Sequence, residues 1–118
     1  MIIKKIQRDA RGGKTTYCQI YAGYYQRIFP DYKILWIGLS VCNLHDAEYM
    51  LRRNRIRIDT CLPIPEYLKG KQYNIIIIDN ADMLPNLSKI LLCCLRCDHL
   101  VLTYTDQSRF EKYWHGRL

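Results

Sequence analysis

The chain has 118 residues, about half of them apolar and a quarter charged, which is the composition of one globular domain and not of a disordered tail or two full domains. No run of about twenty apolar residues occurs, which excludes a membrane-spanning helix, and Met1-Ile-Ile-Lys-Lys-Ile6 is too short and too charged for a secretory signal. Eighteen Lys and Arg against eleven Asp and Glu leave a net charge of +7, an excess that favours an anionic partner: nucleotide, nucleic acid or acidic protein.

The elements follow one another without repeats or linkers. Ile2 to Ile6 reads as a short strand, and a turn containing Gly12 and Gly13 follows. Thr15 to Phe29 has helical spacing, with Tyr17, Tyr21, Tyr24, Tyr25 and Ile28 near one face and Pro30 closing the segment. Such a tyrosine stripe more often packs a core than stacks bases. Lys33 to Leu39 is a buried strand, and Asn43 caps a helix running to about Asn54. Arg55 to Asp59 alternates basic and apolar residues as a half-exposed strand does. Pro63 starts a short helix through Leu68. Tyr73 to Asp79 is the clearest strand, because its four consecutive isoleucines require burial on both faces and therefore a central parallel strand. Pro85 opens a helix to about Arg96, His99 to Tyr104 is a fifth strand, and Asp106 to Trp114 a last helix.

Strands alternating with helices predict a single α/β domain over residues 1–118, in three layers, with about five mainly parallel strands and helices on both faces. In such sheets ligands bind beyond the carboxyl ends of the strands. The residues there are Gly12 to Thr15, Asp79 to Asp82, and Thr103 to Asp106.

Six cysteines in a chain without an export signal are read as reduced thiols of a cytoplasmic compartment. Cys18, Cys42 and Cys61 lie among apolar neighbours and should pack as small hydrophobes. Cys93, Cys94 and Cys97 cluster, with His99 close behind, but structural zinc usually takes four ligands from two knuckles. One CxxC argues against zinc.

Arg11-Gly-Gly-Lys-Thr-Thr16 falls between the first strand and the first helix, where backbone N–H groups and a helix N-terminus can cradle phosphate. Gly12 and Gly13 permit close approach, Lys14 would reach terminal phosphates, and the Thr15 hydroxyl would join a Mg²⁺ shell. Arg8 stands where the pattern GxxxxGK[ST] has its first glycine, so only the second half matches, and an exposed basic turn is the competing reading. Ile75-Ile-Ile-Ile-Asp79 supplies an apolar strand ending in a carboxylate that would order Mg²⁺ on the phosphates. Its competing reading is a simple turn. Both features occur in the expected order, each at a strand end.

On these residues the chain resembles the P-loop NTPases, in the branch with an extra strand between the P-loop strand and the Walker B strand, and within it superfamily two helicases and viral terminases. Asp79-Asn-Ala-Asp82 resembles the Asp-Glu-Ala-Asp box, Thr103-Tyr-Thr105 the Ser/Thr-x-Thr motif, and Ile58-Asp-Thr60-Cys-Leu-Pro63 the Thr-Pro motif. The resemblance implies ATP or another NTP with Mg²⁺, held by Arg11, Gly12, Gly13, Lys14, Thr15 and Thr16, with Thr15 and Asp79 on the metal and Thr103 sensing the γ-phosphate. Asn80 replaces the Glu that polarises water in the family, and an amide cannot take a proton, so Asp82 or a partner must supply the base. The chain is too short for a second lobe with an arginine finger. A motor therefore implies a homo-oligomer, with Arg96, Arg109 or a residue of the 52–57 cluster reaching a neighbour's nucleotide.

Arg52, Arg53, Arg55 and Arg57 form the densest positive run, read either as a solvated face or as a phosphate-tracking groove, with Tyr104, Tyr113 and Trp114 available for stacking, although Tyr113 and Trp114 near the C-terminus are better read as helix-packing residues. Three functions are weighed. One is a Mg²⁺-dependent ATPase on nucleic acid. A second is a weakly active or inactive P-loop module of a larger machine, as in compact viral proteins acting in the host cytoplasm. The third is a nucleoside or nucleotide kinase.

Overall fold

The computed structural model describes residues 1–7 and 13–114, the side chain of Lys14 excepted. In chain order the elements are β1 (Ile2–Gln7), α1 (Lys14–Ile28), β2 (Ile34–Ile37), α2 (Val41–Arg53), β3 (Asp59–Cys61), α3 (Pro65–Leu68), β4 (Ile75–Ile78), a 3₁₀ turn (Ala81–Met83), α4 (Leu87–Leu92), β5 (His99–Tyr104) and α5 (Gln107–Trp114). The five strands form one sheet in the order β1-β5-β4-β2-β3, and every neighbouring pair is parallel. β5 thus separates β1 from β4, the arrangement the resemblance implies. No helix among the described residues is long and apolar enough to cross a membrane.

The period-two alternation of the strands divides the core into two layers. Ile75 and Ile77 of β4, with Ile34 and Trp36 of β2 and Val101 of β5, face Cys18 and Ala22 of α1 and Leu44, Ala47 and Leu51 of α2. Ile76 and Ile78, with Leu35, Ile37, Leu100 and Leu102, face α3, α4 and α5 through Leu68, Leu87, Ile90, Phe110 and Trp114. All four β4 isoleucines are buried, as a central strand covered on both faces requires. Each isoleucine so buried contributes roughly 1.5–3 kcal/mol relative to exposure.

Several boundaries differ from expectation for identifiable reasons. The cap of α2 is Ser40, whose Oγ accepts from Asn43 N at 3.2 Å; Asn43 lies inside the helix. The expected strand over Arg55–Asp59 forms only at Asp59–Cys61, because Arg55 adopts φ +61°, a left-handed geometry that ends strand and helix alike. α3 starts at Pro65 and not at Pro63. The helix expected from Pro85 to Arg96 is regular only over Leu87–Leu92. The tyrosine stripe splits: Tyr17, Tyr21 and Tyr25 pack on the core, whereas Tyr24 and Ile28 are exposed. Cys18 is buried and Cys61 half-buried as expected, but Cys42 is exposed.

Tyr104 and Trp114 are core residues and not stacking platforms. Tyr104 lies flat on Phe110 with centroids 4.0 Å apart, and Phe110 stacks on Trp114 at 5.6 Å. Tyr113 is half-buried and accepts Ser88 Oγ through its carbonyl. The cysteine cluster and His99 lie on opposite faces of the sheet. Cys94 and Cys97 belong to the layer of α3–α5. His99 points the other way, with its Nδ1 2.7 Å from the Tyr21 hydroxyl. Burial pushes the Cys94 thiol up and the Cys97 thiol up to about 11, so both are neutral at physiological pH. Among the described residues no group of three or more His, Cys, Asp or Glu side chains is placed to hold a metal ion.

Candidate functional site

β1, β4 and β5 deliver their carboxyl ends to the same edge of the sheet. α1 begins at Lys14, directly after Gly13, whose φ of +76° is a left-handed conformation that glycine adopts without a Cβ penalty. Thr15 follows in the first turn of that helix. Asp79 follows β4 and Thr103 lies near the end of β5. Thr15, Asn43, Asp79, Asn80, Asp82, Thr105, Asp106 and Arg109 border one open cavity of about 470 Å³. Helix start and strand-end carboxylate therefore share one space, although they are far apart in the chain.

The carboxylates are ordered by their neighbours. Thr103, fully buried, donates its hydroxyl to Asp79 Oδ1 at 2.7 Å and accepts Asn80 N at 2.9 Å. Asn80 Nδ2 donates to Asp79 Oδ2 at 3.3 Å. Two neutral donors hold the carboxylate in place and leave it acceptor capacity toward the cavity. Asn80 has φ +55°, a left-handed conformation that asparagine tolerates better than glutamate does, which gives a local reason for an amide here. Asp82 is only 3% exposed. Its Oδ2 accepts from Asp106 N at 3.0 Å and Thr105 N at 3.3 Å, so it closes the loop into α5. Its Oδ1 is buried without a partner among the described residues. A carboxylate so enclosed is a loop anchor first and reaches solvent only through the cavity.

The expected site residues therefore separate into groups. Thr15, Asp79, Asn80 and Asp82 border the cavity, and Thr103 lies beneath it. Thr16 is exposed in the first turn of α1. Arg8, Arg11 and Gly12 lie outside the described residues, as does the Lys14 side chain. Arg109, expected to reach a neighbour's nucleotide, borders the cavity of its own chain, with Nη1 3.1 Å from Met83 Sδ. Thr60 stands away from the cavity and ties β3 to α2 through Glu48 Oε1 at 2.9 Å. Thr105 and Asp106, expected at the end of β5 where ligands bind, border the cavity as well, whereas Asn43 and Met83 are cavity residues that sequence reasoning did not assign to a site. The signal for Asn43 was its place in the first turn of the helix that follows β2, a strand adjacent to β4.

Arg52, Arg53, Arg55 and Arg57 lie at the other end of the sheet. Arg52 and Arg53 end α2, and Arg55 and Arg57 lie in the loop between α2 and β3, while Asn43 at the start of α2 borders the cavity. The thirteen residues of α2 make the separation about 20 Å. Arg96 also precedes its strand, β5, and shares that amino edge.

A hard divalent cation such as Mg²⁺ needs few protein ligands, one or two carboxylates and a hydroxyl, with water and phosphate completing the shell. Asp79 and Thr15 on one cavity meet that requirement. The left-handed Gly13 before a fifteen-residue helix is compatible with backbone donors facing a phosphate.

Fold and cavity thus define a three-layer α/β domain with its polar cavity at the carboxyl edge of a parallel sheet. No family model and no curated protein matches the chain. Ten chains of solved structures do. One is the crystal structure of the C-terminal domain of a possible DNA helicase from Lactobacillus plantarum WCFS1, with a TM-score of 0.51 and 14% identity, over 88% of this chain and 73% of that one. At that identity the likeness is one of fold.

Proposed function

We propose that this domain binds a nucleoside triphosphate with Mg²⁺ in the carboxyl-edge cavity, turns it over slowly, and serves a machine that handles nucleic acid. The observation that carries the reading is the convergence of Thr15 and Asp79 on one cavity, with Asp79 pre-set by Thr103 at 2.7 Å. Lys14 and the backbone around Gly13 would receive the phosphates, Thr15 and Asp79 the metal, and Arg109 the outer phosphate charge. A bound Mg²⁺ would neutralise charge on the phosphate oxygens. The net charge of +7 and the fold likeness to a possible DNA helicase domain support the nucleic-acid setting.

Slow turnover follows from the base. Asn80 has no proton-accepting carboxylate, and Asp82 spends Oδ2 on two backbone donors. The weakly active module is therefore favoured over a fast motor. Arg109 on the same cavity makes a neighbouring subunit unnecessary for supplying an arginine.

Calorimetric titration with ATP and a nonhydrolysable analogue, with and without Mg²⁺, tests this. Binding should require Mg²⁺ and fall at least about 100-fold in Lys14→Ala. Phosphate release should stay slow with or without single-stranded DNA. DNA-stimulated turnover would select the motor instead, and Mg²⁺-independent or absent binding would remove the nucleotide reading altogether.

A further inference from the structure

A larger cavity lies elsewhere. It is an open groove of about 620 Å³ between the second half of α1 and the loop joining α2 to β3, at the amino edge of the sheet. Arg27, Arg55 and Arg57 border it together with Gly23, Tyr24 and Ile20, and no Asp or Glu does. Arg27 and Arg55 have no carboxylate partner among the described residues, where the single ion pair joins Arg52 to Glu48 at 3.9 Å. Three arginines thus line one concavity, and two of them, Arg27 and Arg55, lack a counter-charge among the described residues.

The groove is held by its own framework. Gln26 is 8% exposed, and its amide makes three hydrogen bonds across the floor. Nε2 donates to the carbonyls of Tyr32 at 3.1 Å and Arg57 at 3.0 Å, and Oε1 accepts Arg57 N at 2.9 Å. The Arg57 guanidinium also donates to the Pro30 carbonyl. Gly23 lets the loop approach α1, since a Cβ there would stand 3.1 Å from Ile56 Cδ1. Arg55 occupies φ +61°, a left-handed conformation that is strained for an ordinary side chain and persists where the surroundings impose it. Tyr24 is 58% exposed at the rim. An aromatic ring left in water beside unpaired arginines offers a stacking surface next to a phosphate site.

We propose that this groove binds single-stranded nucleic acid, with Arg27 and Arg55 on consecutive phosphates and Tyr24 under a base. The proposal rests on the nucleic-acid setting inferred above but uses none of the residues of the nucleotide cavity. A free phosphate would leave most of a 620 Å³ groove empty. An acidic peptide would use the arginines and leave the exposed ring idle. Asp31 and Asp59 border the adjoining cleft beyond Arg57 and mark where the strand must leave.

The test is fluorescence anisotropy with labelled twenty-nucleotide oligo-dT and oligo-U at 50 and 200 mM salt. Arg27→Glu should weaken binding at least 10-fold. Arg55→Gly should weaken it several-fold while its melting temperature holds or rises, since glycine relieves the left-handed strain; a purely structural arginine would instead alter melting and leave binding alone. Loss of both arginines should flatten the slope of log affinity against log salt by about 1.4, two contacts at roughly 0.7 each. Tyr24→Ala should weaken binding and Tyr24→Phe preserve it. Unchanged affinity in Arg27→Glu and Arg55→Gly, or no binding at 50 mM salt, overturns the proposal, as does equally effective competition by poly-glutamate. Lys14→Ala should bind the oligonucleotides like the wild type, so failure at the groove and failure at the nucleotide cavity are read separately.

Discussion

The two ends of the sheet are built on opposite electrostatic plans. At the carboxyl end, among the described residues, Asp79, Asp82 and Asp106 meet one arginine, Arg109, around the cavity, and each of the three aspartates accepts hydrogen bonds from neighbouring groups. At the amino end, three arginines border a groove with no acid. The first arrangement positions acceptors and leaves room for a cation. The second leaves donors unpaired and invites an anion. Parallel strands explain why such different surfaces coexist in a small domain: all strand-to-helix loops emerge at one edge and all helix-to-strand loops at the other. Each set of loops can be charged without disturbing its counterpart.

Because one sheet supports both ends, damage to the sheet should weaken both of them at once. Ile77→Ala in β4, fully buried against α1 and α2, should cost about 2–5 kcal/mol. In urea melts it should weaken both sites together, whereas selective loss at one end would deny their common support. Thr103→Val is more local. It strips Asp79 Oδ1 and Asn80 N of a buried partner, which costs about 1–3 kcal/mol. Nucleotide affinity should drop with oligonucleotide affinity unchanged.

Acidification sharpens the contrast further. Burial lowers the His99 pKa below its usual 6.5, so the unfolded chain takes up more protons than the folded one as pH falls through that value. Stability contributed by neutral His99 is complete above about pH 6.5 and declines below it. His99 sits at the amino end of β5, packed against Tyr21 and Tyr25 of α1, the helix that walls the groove. Urea melts at pH 7.5 and 5.5 should show the loss in the wild type and a flatter response in His99→Phe. The smallest effect is expected for Ser40→Ala, which removes the α2 cap at about 1 kcal/mol and should shift melting slightly with both affinities nearly intact.

Much of this was legible in the residues. Four consecutive isoleucines announce a strand buried twice over, and an aspartate at its end announces a polar edge. His99–Tyr104 was readable with both its boundaries because apolar residues run between a polar start and a turn. Asn43 was misread as a cap because Ser40 and Asn43 are both good caps, and only the backbone geometry chooses between them. Arg55–Asp59 was misread as a strand because alternation carries no information about a left-handed φ at Arg55. Tyr104 reads as a stacking candidate but packs in the core, because an aromatic ring's neighbours along the chain do not reveal which side of a strand faces inward, whereas Trp114 packs on its helix as expected.

Local chemistry along the chain was enough to determine the α/β class, the parallel sheet and the edge at which Asp79 and Thr15 would be found, since side-chain periodicity and strand-end position are properties of nearby residues. Only the folded chain decided that Asp82 is tied to the loop entering α5, that Arg109 faces its own cavity, and that Arg27 joins Arg55 and Arg57 across a groove. Those facts depend on residues distant in sequence meeting in space, and no local pattern encodes which of them will meet.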